Sequence, residues 1–360
     1  MIGSEIKGLK EESKVNSKEI IKKALKREKT PRVPVTILSG GTWCFNSNGI
    51  SLKKALEMKP DAAADIIIKT NQKVNSDIVW PASGYNNLAV QAIGGKLNFR
   101  ERGVPDIEEP LIEKLSDIDK LDFSKLNEDA GIKNLLEITK ILEDKIGNET
   151  MIAVSQWGPL TLAGQIIGIE KLMMGMVKDK QAVKEMIEFS SELCCKYLEL
   201  FVDAGAEMIS LSDMSASGDM ISKKFFEQFA IPCLTKVTNR IKKKKPDIGT
   251  MTHICGNVTK FLDLYPTIGV DLISLDAKVD LSTARQILDG KMAFGGNMNP
   301  VDIMKDSTPE DVKKACIDCI EKSGAAEGYV MMPGCDLPPD APLENVKAMV
   351  DVAHSYKLVC

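Results

Sequence analysis

The chain has 360 residues, a formal net charge of -4, and a balance of 44% apolar to 27% charged residues. That is enough material for a large buried core, and the slight acidity excludes a general nucleic-acid binder. No apolar run approaches the roughly 20 residues that span a bilayer, so no membrane partner is expected. The first thirty residues are charged throughout, without the apolar segment of a secretion signal. Nine cysteines then read as reduced thiols or metal ligands rather than a disulfide framework, and the expected setting is cytoplasmic.

Residues 1–30 form a lysine-rich helical arm, with Ile6, Leu9, Ile20, Ile21, Ala24 and Leu25 at helical spacing. After Pro34, short apolar runs alternate with long amphipathic stretches. The expected strands are Val35–Leu38, Asp77–Trp80, Met151–Ser155, Glu207–Leu211, Gly249–His253, Asp271–Leu275, Lys291–Phe294 and Tyr329–Met332. Helical patterns cover Ile132–Lys145, Lys180–Ala204, Lys223–Lys244 and Pro309–Ser323. Eight repeats of strand then helix predict an α/β chain folded as a (β/α)8 TIM barrel, one domain over residues 31–360. The stretch GGKLNFRERGVP, between the second and third strands, reads as an insertion near the barrel mouth.

Barrel active sites lie at the C-terminal ends of the strands. His253 and Cys255, in THICGN, fall at the end of the fifth strand, and Cys335, in PGCDLPPD, just past the eighth. Only two histidines occur in the chain, so one placed next-but-one to a cysteine stands out. An imidazole and two thiolates suit zinc, and three protein ligands leave its fourth position open for chemistry. The bland alternative is two buried cysteines and a core histidine. Gly256 and Gly334 weigh against it, because they mark loops of close backbone approach. Ser212, Asp213, Asp276, Gly296 and Asn297 end neighbouring strands and should face the same mouth.

Other features have simpler readings. Cys316 and Cys319 form a CxxC with no second pair, and Cys194 and Cys195 lie within one helix. Lys242 to Lys245 end a helix whose dipole they complement. Met173, Met174 and Met176 read as core packing, with an adaptable docking surface as the alternative.

The motifs THICGNVTKFLDL, FGGNMNP and GCDLPPDAPLENVKAMV, with RVPV, WGPLTLAGQIIG and GAEMISLSDMSASG, resemble the uroporphyrinogen decarboxylase superfamily. Within it the chain is similar to the methylcobamide:coenzyme M methyltransferase branch. The resemblance implies zinc on His253, Cys255 and Cys335, and a methyl group moved between a corrinoid and a small thiol. A separate small corrinoid protein is the implied partner. Asp213 and Asp276 are the candidate catalytic residues: Asp213 could orient His253, tune the zinc or bind substrate, or be a mouth aspartate satisfied by backbone N–H groups, and Ser212, Gly296, Asn297 and Trp157 are candidate substrate contacts.

Two alternatives stand beside it: metal-independent decarboxylation using Asp213, and a non-catalytic barrel that binds a corrinoid or thiol. The decarboxylases carry arginine after the first strand to receive substrate carboxylates, whereas here that stretch is SGGTWCF. Their last-strand loop usually carries a histidine, where this chain has Gly334–Cys335–Asp336.

Overall fold

The computed structural model describes residues 16–38, 40–324 and 327–356. Seven parallel strands form one curled sheet: β1 (Ile78–Val79), β4 (Met151–Trp157), β5 (Met208–Ser212), β6 (Gly249–His253), β7 (Leu272–Ser274), β8 (Ala293–Met298) and β9 (Tyr329–Pro333). The remaining two strands, β2 (Leu97–Asn98) and β3 (Asp106–Ile107), pair as an antiparallel hairpin within the expected insertion.

The eighth stave is shorter than the sequence predicts. Val35–Leu38 contributes an isolated bridge, Val35 to Met331, rather than a strand. It nonetheless closes the barrel. Met331 N donates to Pro34 O at 2.8 Å, Thr36 N donates to Met331 O at 3.0 Å, and Asp77 N donates to Val35 O at 3.0 Å. Ladder pairing stops there because Pro34 has no N–H to give, and Gly40 N bonds back to Ile37 O, turning the chain away.

Alternation along the strands sorts side chains into two layers. Ile152, Val154, Ile209, Leu211 and Ile273 face outward into the large core beneath the helices. Met151, Met208, Met251, Leu272, Ala293 and Val330 fill the barrel interior. The helix Ser17–Leu25 joins that interior, because its fully buried Ile21 and Ala24 pack on the same cluster. It therefore plugs the end of the barrel where the strands begin. Arg32 ties the following segment down through two bonds to Asp77, at 2.8 and 2.6 Å. The expected helical positions Ile6 and Leu9 lie outside the described residues.

The expected helix over Lys223–Lys244 is interrupted. It runs as Lys223–Phe225, a π-turn over Phe226–Ala230, and then Ile231–Lys244. Pro232, at the start of the last piece, cannot donate the backbone bond an unbroken helix needs. Cys194, Cys195, Cys316 and Cys319 are all buried as core thiols. Met176 is buried as expected, but Met174 is half exposed. Among the described residues no single helix is long and apolar enough to cross a membrane.

Candidate metal centre

His253 is the last residue of β6, and it faces into the barrel because Met251, two residues earlier, does so. Cys255 follows two residues later. Cys335 lies two residues past β9 and reaches the same point from three staves away. The Cys255 Sγ is 3.3 Å from His253 Nε2 and 3.6 Å from Cys335 Sγ. These donor atoms all lie within 4.8 Å of one another, the only such group of metal-binding side chains among the described residues.

Two glycines allow this convergence. Gly256 sits at φ +85°, and a Cβ there would meet Asp219 Oδ2 at 2.5 Å. A Cβ on Gly334 would meet the backbone nitrogen of Ala277 at 2.5 Å. Any larger residue would push one of the two thiols out of place.

The donor set fits a tetrahedral zinc. Ordinary Zn–S and Zn–N bond lengths give edges of about 3.8 Å between sulfurs and about 3.6 Å between sulfur and nitrogen. The observed separations of 3.6 and 3.3 Å fall within a few tenths of an ångström of these. The electrostatics point the same way. The hydrogen bond with Cys255, then burial, push the Cys335 thiol well above its usual range. Burial opposes charging of the His253 imidazole, yet the Cys335 hydrogen bond and charge, with Asp336 and Asp276, outweigh it and raise its pKa. The raised imidazole value registers the negative charge that Cys335, Asp336 and Asp276 place around the ring, surroundings that favour a bound cation.

A residue that sequence reasoning missed holds the imidazole. The Ser274 hydroxyl lies 3.0 Å from His253 Nδ1, and the two residues are register partners on β7 and β6. Ser274 alternates with the inward Leu272, so strand periodicity could have flagged it.

Asp276 lies beside the centre without reaching it. Its Oδ2 accepts from Gly256 N at 2.8 Å and its Oδ1 from Lys278 N at 2.9 Å. Asn297 Nδ2 donates to the carbonyls of Asp276 and Val279, at 2.9 and 2.6 Å. Together they tie the loops after β6 and β7 to each other and to the end of β8. The neighbouring Gly296 carbonyl accepts from the Tyr329 hydroxyl. Ser212 is the register partner of His253, and its carbonyl accepts from Gly158 N at 2.7 Å. Trp157 Nε1 donates to Asn87 Oδ1 at 2.6 Å at the end of β4.

Asp213 is turned away from the centre. Its backbone N–H bonds to His253 O at 2.9 Å, but its carboxylate is fully buried beneath the helix Pro159–Ile167. There it accepts from Leu160 N at 3.1 Å, Thr161 N at 2.8 Å and the Thr161 hydroxyl at 2.7 Å. Burial pushes its pKa up to about 6, against the lowering effect of the Thr161 hydroxyl and the two amides.

A curled parallel sheet with a His–Cys–Cys cluster at its mouth defines an α/β barrel with a candidate metal centre. The uroporphyrinogen decarboxylase family pattern matches residues 16–356, and the chain belongs to that family. It is 32% identical over 253 residues to the methylcobamide:CoM methyltransferase MtbA of Methanosarcina acetivorans, covering 70% of this chain and 72% of that one. It is 30% identical to MtaA of Methanosarcina barkeri, covering 62% of this chain and 64% of that one. A solved methyltransferase from Methanosarcina mazei superposes with a TM-score of 0.85 at 23% identity, covering 94% of this chain and 98% of that one.

Proposed function

We propose that this chain moves a methyl group between a corrinoid and a small thiol, using zinc held by His253, Cys255 and Cys335. The corrinoid is carried by a separate small protein that presents it to the barrel mouth, and the setting is the cytoplasm, where thiols stay reduced. The observation that carries the reading is the convergence of one imidazole and two thiols at that mouth, in a chain similar to methylcobamide:CoM methyltransferases.

Zinc, when bound, would supply the charge that deprotonates an arriving thiol, while the two cysteine thiolates offset that charge and leave the sulfur nucleophilic. In the transfer, a carbon–sulfur bond forms as the carbon–cobalt bond breaks, the bonding pair stays on cobalt, and the thiol proton leaves to solvent. Ser274 holds His253 Nδ1, which leaves Nε2 turned toward the cysteines. Asp276 fixes the Cys255 loop through Gly256 N. Alignment of the reacting atoms by this rigid mouth supplies much of the rate enhancement.

Metal-independent decarboxylation is disfavoured by Asp213. That reading needs its carboxylate to face a substrate, but three donors of the Pro159–Ile167 segment already occupy it. Residues 39–45 also offer no arginine to receive a carboxylate.

The test uses free methylcobalamin and a panel of thiols, including coenzyme M and homocysteine. Loss of the methylcobalamin spectrum, with cobalt(I) or cobalt(II) appearing, is expected with at least one thiol. About one zinc per chain should be present and fall sharply in Cys255→Ala and Cys335→Ala. Unchanged zinc in both variants sinks the metal assignment. Binding of a corrinoid or thiol without any turnover would return the chain to the non-catalytic reading.

A further inference from the structure

Cys255 and Cys335 come from segments 80 residues apart, and one short loop stands between those segments. It is the turn Asp276–Val279, which follows β7. On one side the Asp276 carboxylate accepts from Gly256 N at 2.8 Å, next to Cys255. On the other side its backbone abuts Gly334, next to Cys335, so closely that a Cβ there would lie 2.5 Å from Ala277 N. The loop therefore meets the chain neighbour of each cysteine, and its position sets how far apart the two sulfurs stand.

The loop is shaped from within by Val279 N, which donates to Asp276 O at 2.9 Å, and by Lys278 N, which donates to Asp276 Oδ1 at 2.9 Å. Its outer tie is weak. Lys278 Nζ reaches Asp219 Oδ2 at 3.3 Å, but these side chains are 65% and 55% exposed, and such a pair contributes little. The stronger tie comes from β8. Asn297 is buried, and its Nδ2 donates to the carbonyls at both ends of the turn, Asp276 O at 2.9 Å and Val279 O at 2.6 Å. An amide nitrogen has two hydrogens, so both are committed inside the protein. The next residue, Met298, accepts from Gly334 N at 2.7 Å. The end of β8 thus holds the turn and the Cys335 segment in one frame.

We infer that Asn297 is a positioning residue of the metal centre: it clamps the turn after β7, and through that turn fixes the spacing of Cys255 and Cys335, rather than touching substrate. Metal–ligand distances tolerate only about 0.2 Å, so a slackened turn would take one sulfur out of reach. The inference rests on the zinc reading of the centre and adds the part of the frame that sets its geometry.

Cobalt(II) tests it without turnover, because its visible absorption reports the geometry and the thiolates around the ion. The full-length chain is stripped of metal with a chelator, kept reduced with a phosphine, and titrated with cobalt(II) alone. The wild type should take up cobalt with the intense bands of a tetrahedral thiolate site. Asn297→Asp keeps the side-chain shape and removes both donors, and should lower cobalt affinity at least about tenfold and weaken those bands. Asn297→Ala, which adds no charge, should do the same and carries the test if the aspartate variant does not fold. Asp276→Ala should also weaken cobalt, and combining it with Asn297→Ala should cost no more than the worse single change, because both act through one turn. Wild-type affinity and spectrum in either folded Asn297 variant, or losses that simply multiply in the double variant, overturn the assignment and leave the zinc reading standing. A wild-type chain that takes up no cobalt overturns both.

Discussion

The Ser274 hydroxyl stands 3.0 Å from His253 Nδ1, on the strand beside it and in register with it. An imidazole has two nitrogens, and the partner of one decides which face the other presents. Here Nδ1 is engaged, so Nε2 points to Cys255 at 3.3 Å. The holding group is a neutral hydroxyl rather than a carboxylate, so it orients the ring without adding negative charge to a cluster that already contains two thiols.

Ser274→Ala should therefore weaken the metal without removing any ligand. Outer partners of metal-bound histidines typically contribute about 10- to 100-fold in affinity. Competition with a coloured zinc chelator reads this directly, independent of methyl transfer. Ser274→Thr, which keeps the hydroxyl, should restore most of the loss. Zinc affinity unchanged in Ser274→Ala would show that packing alone sets the ring.

A second relationship lies at the opposite end of the barrel. Asp77 is fully buried and accepts from Arg32 Nη1 and Nη2 and from Val35 N at 2.9 Å. Burial works to raise its pKa, but the Arg32 hydrogen bonds, His354, the Arg32 charge and Ser17 together hold it below the usual carboxylate range. A depressed folded value means that the stability Asp77 supplies is present above the unfolded value of about 3.9 and is lost as pH falls through the folded one. Asp77→Ala leaves the Arg32 guanidinium, 16% exposed, without its partner. Breaking such a pair from one side costs about 3–5 kcal/mol. Urea unfolding at pH 7 should show that loss, and the difference from wild type should shrink below about pH 4. An undisturbed urea midpoint at pH 7 would mean that the closing stave is held by Val35 and its neighbours without the ion pair.

How much of this was legible in the sequence depended on whether the cause was local. Gly249–His253 and Pro309–Ser323 form with the expected bounds, because apolar spacing and an N-cap such as Thr308 act within a few residues. The placement of His253, Cys255 and Cys335 followed from counting strands, since barrel topology converts strand order into position. What could not be read came from distant neighbours. Val35–Leu38 is apolar enough for a strand, yet its pairing is cut short by a turn and by Pro34. Ser274 gained significance only when β7 lay beside β6 in a specific register. The side on which the Asp213 carboxylate would find its partners was likewise invisible, because Leu160 and Thr161 lie about fifty residues earlier in the chain.

Asp213 gives the sharpest discrimination between the two chemistries of this family. Its carboxyl is raised to about 6, chiefly by burial, against an ordinary unfolded value near 3.8. A raised folded value means that the folded chain binds the proton more tightly than the unfolded one. The associated stability is fully present below the unfolded value and is lost as pH rises through about 6, an effect of roughly 3 kcal/mol for a shift of about two units. Asp213→Asn removes this titration but keeps one oxygen able to accept from Thr161. The variant should be less stable than wild type at pH 4, because an amide nitrogen now opposes the Leu160 N–H, and the gap should narrow by several-tenths or more of that 3 kcal/mol as pH rises to 8. Zinc content and most thiol methylation should survive, since the carboxylate faces the helix and not the metal ligands. If methylation instead falls a hundredfold or more in a variant that is folded and zinc-loaded, Asp213 acts on the substrate itself, and the buried position found for its carboxylate is not the one used in turnover.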